Sequence, residues 1–372
     1  MPANSPSPKA KKHLDILSRL IFRGYSGSFD PNSNLERIYP EADYVLNLSE
    51  EEQIEFLDLA NTHHVLVRAL RALEQAAKQL GIENMATRCN EALQREQARI
   101  THAIEVLNPI CDALEDAGCT TTVIKSLDHW PDLGSDLDLY TTGDPAEVAR
   151  VMNEQFGAEP VERSWGDQLA NKWNFSVPGL PELVEIHVRY LGQTGEHKKM
   201  ARRVVQRRVR KKINGHSFFV PAPEERVVIS TLQRMYRHFY FRLCDMCDVA
   251  SLLQNNEIDF NELRRAANTG GIWRGVSTFL FLVMKYAQSF GAKIELPANI
   301  IISSYSPHIR VFVGGQFLRV PKLPAASLYA SQLANAGLRG DLRAMSRLPL
   351  LPPLALSALV AYRVTGSDKG VW

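Results

Sequence analysis

Residues 123–140 of this 372-residue chain read VIKSLDHWPDLGSDLDLY, and this stretch decides the fold. It opens on an apolar segment, passes through a turn containing Pro and Gly, and closes on alternating acidic and apolar residues. Side chains of a β-strand alternate between its two faces, so Asp136 and Asp138 are predicted to share one face. The intervening Leu137 and Leu139 then point into the core. Adjacent carboxylates repel each other, and a divalent cation bound between them would remove that repulsion.

A third carboxylate occurs in a later segment, LVEIHVRY, at residues 183–190. The same alternation places Glu185, His187 and Arg189 on one face of a predicted strand. A third acid from a neighbouring strand is what a two-metal site needs, in which one ion activates the attacking oxygen and the other binds a leaving pyrophosphate. The alternative interpretation is a solvated pair of aspartates and a glutamate at the edge of the core.

The segments around these acids alternate between strand and helix. β-branched or alternating runs predict four strands, at residues 120–124, 137–140, 173–177 and 183–190. Helical periodicity dominates before and after them. The expected fold class is therefore α+β, with a small mixed β-sheet flanked by helical regions. The expected divisions are a disordered tail at 1–12, an N-terminal helical region at 13–117, a core at 118–222 and a C-terminal helical region at 223–372.

The composition of the whole chain does not indicate nucleic-acid binding, because the formal net charge is only +2. One local run is strongly basic, however: Lys198–Lys212, KKMARRVVQRRVRKK. We interpret it as a helix with one docked side and a solvated basic side. The alternative is a charged rim that attracts a polyanion such as RNA or a nucleotide. Aromatic residues are absent from the run, so it does not indicate base stacking.

The five cysteines are sparse and odd in number, which argues against a disulfide framework and predicts a reducing, cytoplasmic location. Cys244 and Cys247 form a C-x-x-C pair, which we interpret as two buried thiols on one helix face rather than as a metal or redox site. No membrane span is expected. The nearest candidate, residues 348–364, contains three prolines and an arginine.

A dense aromatic and arginine-rich stretch, RMYRHFYFR, occupies Arg234–Arg242 directly after the predicted core. Helical spacing places several of these side chains on one face. Arg237, His238 or Arg242 could extend from a helical domain toward a ligand bound at the sheet. Ordinary packing between helices and core is the other interpretation.

The order of these motifs resembles the DNA polymerase β-type nucleotidyltransferase superfamily, and more closely an uncharacterised bacterial nucleotidyltransferase family with the pattern K-G, D-I-D-L, D-L-H-W-R. The matching residues here are Lys125-Ser126, Asp136-Leu137-Asp138-Leu139 and Glu185-Ile186-His187-Val188-Arg189. The family's later P-x-x-E and R-L-x-x-x-x-D elements match residues 221–224 and 242–248. The resemblance covers residues 61–254, about half of the chain.

The resemblance implies a set of roles for these residues. Asp136 and Asp138 would ligate two Mg²⁺ ions, and Glu185 would ligate the catalytic one. The residues implied to contact the nucleotide are Lys125, Ser126, Ser135 and Arg189. Two departures stand out: Ser126 occupies a position where the family has Gly, and Glu185 replaces Asp.

The function expected from this resemblance is Mg²⁺-dependent transfer of a nucleoside monophosphate from an NTP to an acceptor hydroxyl, with release of pyrophosphate. The acceptor is a small molecule, a protein side chain or an RNA end, and the sequence does not choose among them. The alternative is a catalytically degenerate module of the same fold that binds nucleotide or RNA. Ser126 and the basic run favour that alternative slightly.

Overall fold

The computed structural model describes residues 8–23, 40–306 and 308–365. Its centre is a five-stranded mixed sheet with helices before and after it in the sequence, which confirms the expected α+β class. The strands of this sheet are β1 (Thr121–Val123), β2 (Asp136–Thr141), β3 (Glu159–Pro160), β4 (Lys172–Ser176) and β5 (Leu183–Val188). The four predicted strands all occur, and the two-residue β3 is the one that the sequence pattern missed.

The strand order in the sheet is β1-β2-β5-β4-β3. Strand β2 pairs with β5 in parallel, and the other neighbouring strands are antiparallel. The parallel register aligns Asp138 with Glu185, directly across one strand gap. Asp138 and Glu185 are 47 positions apart in the sequence, yet their strands lie side by side in the sheet.

One face of the sheet is apolar and fully covered. Leu137, Leu139, Val184 and Ile186 are completely buried in a core that they share with the long helix at Glu83–Asp116. The alternate residues of the same two strands are the acids and His187, which face the other way. The alternation along each strand thus places the apolar side chains in the core and the acidic side chains on the opposite face, as the sequence predicts.

The N-terminal region is helical. Its helices are α1 (Pro8–Arg23), a segment at residues 40–46, α2 (Glu50–Thr62), α3 (Leu66–Gln79) and α4 (Glu83–Asp116). Helix α2 begins with a capping box, in which the Ser49 hydroxyl accepts from the Glu52 amide and the Glu52 carboxylate accepts from the Ser49 amide. Helices α2 and α3 are separated by a break at His63 and His64, where His64 has a φ of 52°.

Three helices lie within the core segment: α5 (Pro145–Phe156), α6 (Trp165–Ala170) and α7 (Lys198–Gln206). Helix α5 has Asp144 as its N-cap and Gly157 in the left-handed region as its C-cap, which fixes both ends. The C-terminal region contains α8 (Pro223–Thr231), a π-helix (Leu232–His238), α9 (Leu243–Gln254), α10 (Phe260–Gly270), α11 (Trp273–Ser289), α12 (Ala298–Ser303), α13 (Lys322–Leu338), α14 (Leu342–Arg347) and α15 (Leu351–Thr365).

The C-terminal region also contains strands, which the sequence analysis did not expect. They are β8 (Tyr240–Phe241), β9 (Phe312–Gly314) and β10 (Phe317–Arg319), in the order β8-β10-β9. These strands are only two or three residues long. A periodic hydrophobic pattern cannot develop over so few positions, so the sequence carried no signal for them.

The basic run is only partly helical. Residues 198–206 form α7, as predicted, but the rest enters a hairpin of β6 (Val209–Ile213) and β7 (His216–Val220). The expectation of one helix over the whole run is therefore wrong for its second half. The turn at Asn214 and Gly215, both with positive φ, was the available signal for a hairpin.

Residues 8–12 were expected to be disordered, and this part of the expectation is wrong. They form the first turns of α1, where Lys9 pairs with Glu52 at 3.2 Å and Glu55 at 2.7 Å. Residues 1–7 of the expected tail lie outside the described residues. Helix α1 docks through buried leucines and His13.

His13 gives a first testable prediction. Its ring lies among Tyr44 and Phe56, its Nε2 is buried without a hydrogen-bond partner in the described part of the chain, and burial lowers its pKa. The unfolded state therefore binds the proton more readily, so stability is complete above about pH 6.5 and falls below it. We expect His13→Leu to raise the unfolding free energy more at pH 5.5 than at pH 8, measured by urea unfolding.

The matched control for His13 is His102, which lies at the surface of α4. His102→Leu, measured in the same way, gives the effect of replacing a histidine by leucine on the surface of a helix. If the change caused by His13→Leu did not differ between the two pH values, the ring of His13 would not be held neutral by its surroundings.

No helix among the described residues is long and apolar enough to cross a membrane. The apolar stretch at 348–364 forms a short 3₁₀ turn followed by α15. Leu348, Leu351 and Leu354 of this stretch are buried against the protein. The stretch is thus a docked tail, as the sequence analysis favoured.

Candidate active site

The acidic residues from β2 and β5 meet on the face of the sheet that lies opposite the apolar core. Asp138, Glu185 and His187 each place one ligand atom within 4.8 Å of the other two. The Glu185 Oε1 atom lies 2.8 Å from His187 Nε2, and Asp138 Oδ1 lies 3.9 Å from the same nitrogen. Glu185 therefore lies beside one of the two aspartates, Asp138.

Two lysines contact these acids. The Lys125 ammonium pairs closely with Asp138 and lies 3.8 Å from Glu185 Oε1. The Lys172 ammonium, from β4, bridges Glu185 Oε2 at 3.0 Å and Asp167 at 2.7 Å. Burial opposes ionisation of Glu185, but Lys125, His187 and Lys172 together hold the pKa of its carboxyl well below the usual value. Glu185 is therefore a carboxylate at neutral pH.

Lys125 occupies a strained turn directly after β1. Its φ of 63° and ψ of −59°, with the Ser126 amide donating to the Ile124 carbonyl at 2.7 Å, define a γ-turn with positive φ, a rare conformation for a residue with a Cβ. Backbone strain of this kind persists only where the surroundings enforce it, and it concentrates at functional sites. The turn directs the lysine side chain across the end of the sheet onto the acids.

Ser126 is bound to the backbone of β2. Its hydroxyl accepts from the Asp138 amide at 2.7 Å and donates to the Asp136 carbonyl at 3.1 Å. The side chain that replaces the family's glycine therefore links the turn to the acidic strand. The Ser126 hydroxyl is thus hydrogen-bonded to the backbone of Asp136 and of Asp138, the two residues that flank Leu137.

Asp136 lies at the start of β2, where the Ser135 hydroxyl donates to its carboxylate at 3.2 Å. Burial, and then the charges of Asp138 and Glu185, raise its pKa above the ordinary value. Asp136 forms no ion pair with any residue that the structure describes. Its negative charge is thus the least compensated one at the site, which makes it the natural position for a bound cation.

The donor set fits a divalent cation. Four carboxylates, of Asp136, Asp138, Asp167 and Glu185, face the two ammonium groups of Lys125 and Lys172. These four carboxylates outnumber the two ammonium groups by two. Mg²⁺ is usually held by one or two carboxylates together with substrate phosphates. Asp136 and Asp138 would hold such an ion, and Glu185 is the adjacent third acid.

Arg189 does not join this cluster. It follows the end of β5 with a φ of 68°, and its guanidinium is exposed, where it pairs with Asp144 at 2.9 Å and donates to the Gly143 carbonyl at 3.1 Å. The alternation that predicted a shared face with Glu185 ends where the strand ends. Arg189 is thus paired with a nearby acid at the surface, away from Asp138 and Glu185.

A cleft opens next to Lys125 and His187, which both contact the acids, between the sheet and the C-terminal helices. Gln233, Tyr236 and Arg237 of the π-helix also line this cleft. A π-helix is an uncommon element that occurs often at functional sites. Arg237 has a buried Nε without a hydrogen-bond partner among the described residues. The cleft is therefore lined by a cation that forms no ion pair with any acid that the structure describes.

The comparison with known families agrees with this geometry. A family model described as "Uncharacterised nucleotidyltransferase" matches residues 49–290, about two thirds of the chain. The chain belongs to this family. The match contains the whole five-stranded sheet, the acidic cluster and the π-helix. The resemblance inferred from the three motifs is thereby confirmed.

This nucleotidyltransferase family member is also similar to one solved structure, described as an antigenic nucleotidyltransferase-like protein from Paracoccidioides brasiliensis. The two chains are 17% identical, the alignment covers 52% of this chain and 93% of the other, and the TM-score is 0.34. None of the curated proteins compared matches this chain.

Three of the nine basic residues of the run at 198–212 form ion pairs with acids that the structure describes. Arg203 contacts Glu225 at 2.7 Å, Arg207 contacts Glu224 at 3.1 Å, and Arg208 pairs with Glu115. These arginines dock α7 and the β6–β7 hairpin onto neighbouring helices. The docked-helix interpretation accounts for this side of the run.

Sequence reasoning missed two residues of the site, Lys172 and Asp167. Lys172 lies at the start of β4, directly before the predicted strand at 173–177, and its register partner is His187. A lysine next to a strand is common and gave no signal without the pairing of β4 with β5. The π-helix wall was weighed only as an alternative, because helical spacing does not reveal which face meets a distant sheet.

Proposed function

We propose that this protein is a Mg²⁺-dependent nucleotidyltransferase, which moves a nucleoside monophosphate from an NTP to an acceptor hydroxyl and releases pyrophosphate. The observation that supports this proposal is that Asp136, Asp138 and Glu185 lie on one face of the sheet, beside a cleft that Lys125 and Arg237 both line. Family membership supports the reaction class.

In this proposal the acidic residues bind the metal and the basic residues contact the triphosphate. Asp136 and Asp138 would hold the metal, which when bound offsets the charge that develops on the transferred and leaving phosphates. Arg237 and Lys125 line the same cleft, and both would present cationic groups to a bound triphosphate. The γ-turn and the Ser126 hydrogen bonds keep the lysine and the aspartates in register. Preorganised charges of this kind are commonly the largest contribution to catalysis.

The test is nucleotide binding paired with turnover. Isothermal calorimetry with each NTP, with and without Mg²⁺, measures binding, and pyrophosphate release in the presence of candidate acceptors measures transfer. We expect binding that depends on Mg²⁺ and release of pyrophosphate with at least one acceptor class: small molecules, protein side chains or RNA ends. Binding without turnover across all three classes would reject the catalytic proposal.

Arg237 provides a specific prediction for nucleotide affinity. A hydrogen bond to a charged group contributes about 1.5–3 kcal/mol, so Arg237→Met is expected to weaken NTP binding by roughly 10- to 100-fold, measured by calorimetry. The matched control is Arg189→Met, because Arg189 pairs with Asp144 at the surface. Equal losses in both variants would return Arg189 to the nucleotide site and contradict the role of the π-helix.

A second candidate function is a non-catalytic nucleotide-binding or RNA-binding module. The observation that favours it is the pairing of Glu185, whose two oxygens are already engaged by His187, Lys125 and Lys172. A carboxylate held by three partners is a poor metal ligand unless Lys125 moves. In that case nucleotide would bind without pyrophosphate release, and the calorimetric and turnover measurements above separate the two functions.

A further inference from the structure

A second group of metal-ligating side chains lies away from the acidic edge. His64, from the break between α2 and α3, His129, from the 3₁₀ turn after β1, and Cys244, from the first turn of α9, each place one ligand atom within 4.8 Å of the other two. The three residues come from the N-terminal, central and C-terminal parts of the chain. His129 and Cys244 are fully enclosed by protein.

The distances suit a tetrahedral ion. His129 Nε2 lies 3.9 Å from Cys244 Sγ. Around a zinc ion with Zn–N near 2.0 Å and Zn–S near 2.3 Å, the same two atoms would be about 3.6 Å apart. The two rings also approach each other, with the centroids of His64 and His129 separated by 5.6 Å in an edge-on arrangement. A small adjustment of side chains would therefore bring all three ligands to bonding distance.

The contacts of His129 are those expected of a histidine that binds a metal ion. His129 Nδ1 lies 2.5 Å from Asp248 Oδ2, so its other nitrogen is the one turned toward Cys244. A histidine that binds zinc usually donates its second N–H to a carboxylate, which fixes the tautomer and the orientation of the ring. The Cys244 thiolate and the Asp248 carboxylate together would balance the two charges of the ion.

His64 contributes the least ordinary feature. It adopts a left-handed conformation with a φ of 52°, and its Nδ1 is buried without a hydrogen-bond partner in the described residues. Gly134 lies against this ring, since a Cβ there would come within 3.2 Å of the same nitrogen. Backbone strain and an orphaned ring nitrogen at one residue call for an explanation beyond packing.

We propose that His64, His129 and Cys244 bind a zinc ion, with Asp248 supporting His129 and one coordination position left for water. The ion would replace the proton of the Cys244 thiol, which passes to solvent. It would join three separate parts of the chain, and it would fix the 3₁₀ turn that begins directly after Lys125. The site is structural in this role and does not depend on the proposed transferase activity.

The test uses cobalt as a spectroscopic probe on the full-length protein freed of metal by dialysis against a chelator. We expect one equivalent of Co²⁺ to produce a thiolate-to-cobalt charge-transfer band and visible d–d bands of tetrahedral intensity. Zn²⁺ should then displace the cobalt and remove both. No charge-transfer band from the wild-type protein would overturn the proposal.

The variants use the second thiol of the same helix as a matched control. Cys244→Ser is expected to abolish the charge-transfer band, whereas Cys247→Ser, three residues away and equally buried, should keep it. His64→Gln should keep the band but weaken Co²⁺ binding at least tenfold, with circular dichroism verifying the fold. A band that survives Cys244→Ser, or that disappears in Cys247→Ser, would assign the cobalt to another site.

Discussion

Replacing Asp136 by Asn is expected to abolish pyrophosphate release while making the protein more stable. The loss of a metal-ligating carboxylate removes several kcal/mol of charge stabilisation, and about 4 kcal/mol corresponds to roughly a thousandfold in rate. The gain in stability follows from the raised pKa of Asp136, since burial and the charges of Asp138 and Glu185 disfavour its ionised form. A neutral amide keeps an acceptor for Ser135 and removes the repulsion.

Two measurements check this prediction together: pyrophosphate release at saturating Mg²⁺, and the midpoint of thermal unfolding. Asp112→Asn on the exposed side of α4 is the matched control. The Asp112 carboxylate is exposed and accepts a hydrogen bond from the Asn108 side chain. Its rate and midpoint should stay close to those of the wild type. A wild-type rate in Asp136→Asn would defeat the proposed active site, and a lowered midpoint would show that the charge at 136 is compensated in the fold.

The largest expected loss of stability comes from Arg234, whose side chain is 2% exposed. Its Nε lies 2.8 Å from the Asp245 carboxylate, which is itself buried and also accepts from the Arg242 amide at the start of α9. Removing one partner of a buried pair leaves an uncompensated charge and costs about 3–5 kcal/mol. Arg234→Met is therefore expected to lower the unfolding free energy by this amount, measured in urea.

Arg150→Met serves as the comparison for Arg234, because Arg150 pairs with Glu147 and Glu154 at the surface of α5, where such pairs contribute about 0–1 kcal/mol. The double variant Arg234→Met/Asp245→Asn should recover part of the loss, since the stranded charge is gone and the amide oxygen still accepts from Arg242. A cost for Arg234→Met no greater than for Arg150→Met would contradict the importance of the buried pair.

The sequence predicted the parts of the fold that depend on local periodicity. The alternation at β2 and β5 identified both strands, their apolar faces and the three acids, because burial and chemistry lie on opposite sides of a period-two pattern. The K-S, D-x-D and E-x-H-x-R motifs were sufficient to indicate the family, which the match over residues 49–290 confirms.

What the sequence could not predict is the pairing of distant segments. Lys172 meets Glu185 only because β4 lies beside β5, and Arg237 lines the same cleft as Lys125 in a segment that forms a π-helix. The zinc ligands are a sharper case. The C-x-x-C pair lacks a histidine nearby in the chain, yet His129 and His64 approach Cys244 from 115 and 180 positions away. The alternation that identified Glu185 also misplaced Arg189, because it assumed that the strand continued past Val188.

The docking of α1 determines how far the chain can be shortened. The family match begins at residue 49, yet Leu14, Leu17 and Leu20, upstream of it, are almost completely enclosed in the same apolar cluster as Cys244 and α11. A polypeptide that begins at residue 49 would lack these leucines and would expose to water the apolar surface that they cover. Burial of each leucine contributes about 1.5–3 kcal/mol to the free energy of unfolding. Aggregation or proteolysis of such a fragment is the expected consequence, so work on this protein should retain the chain from residue 8 onward.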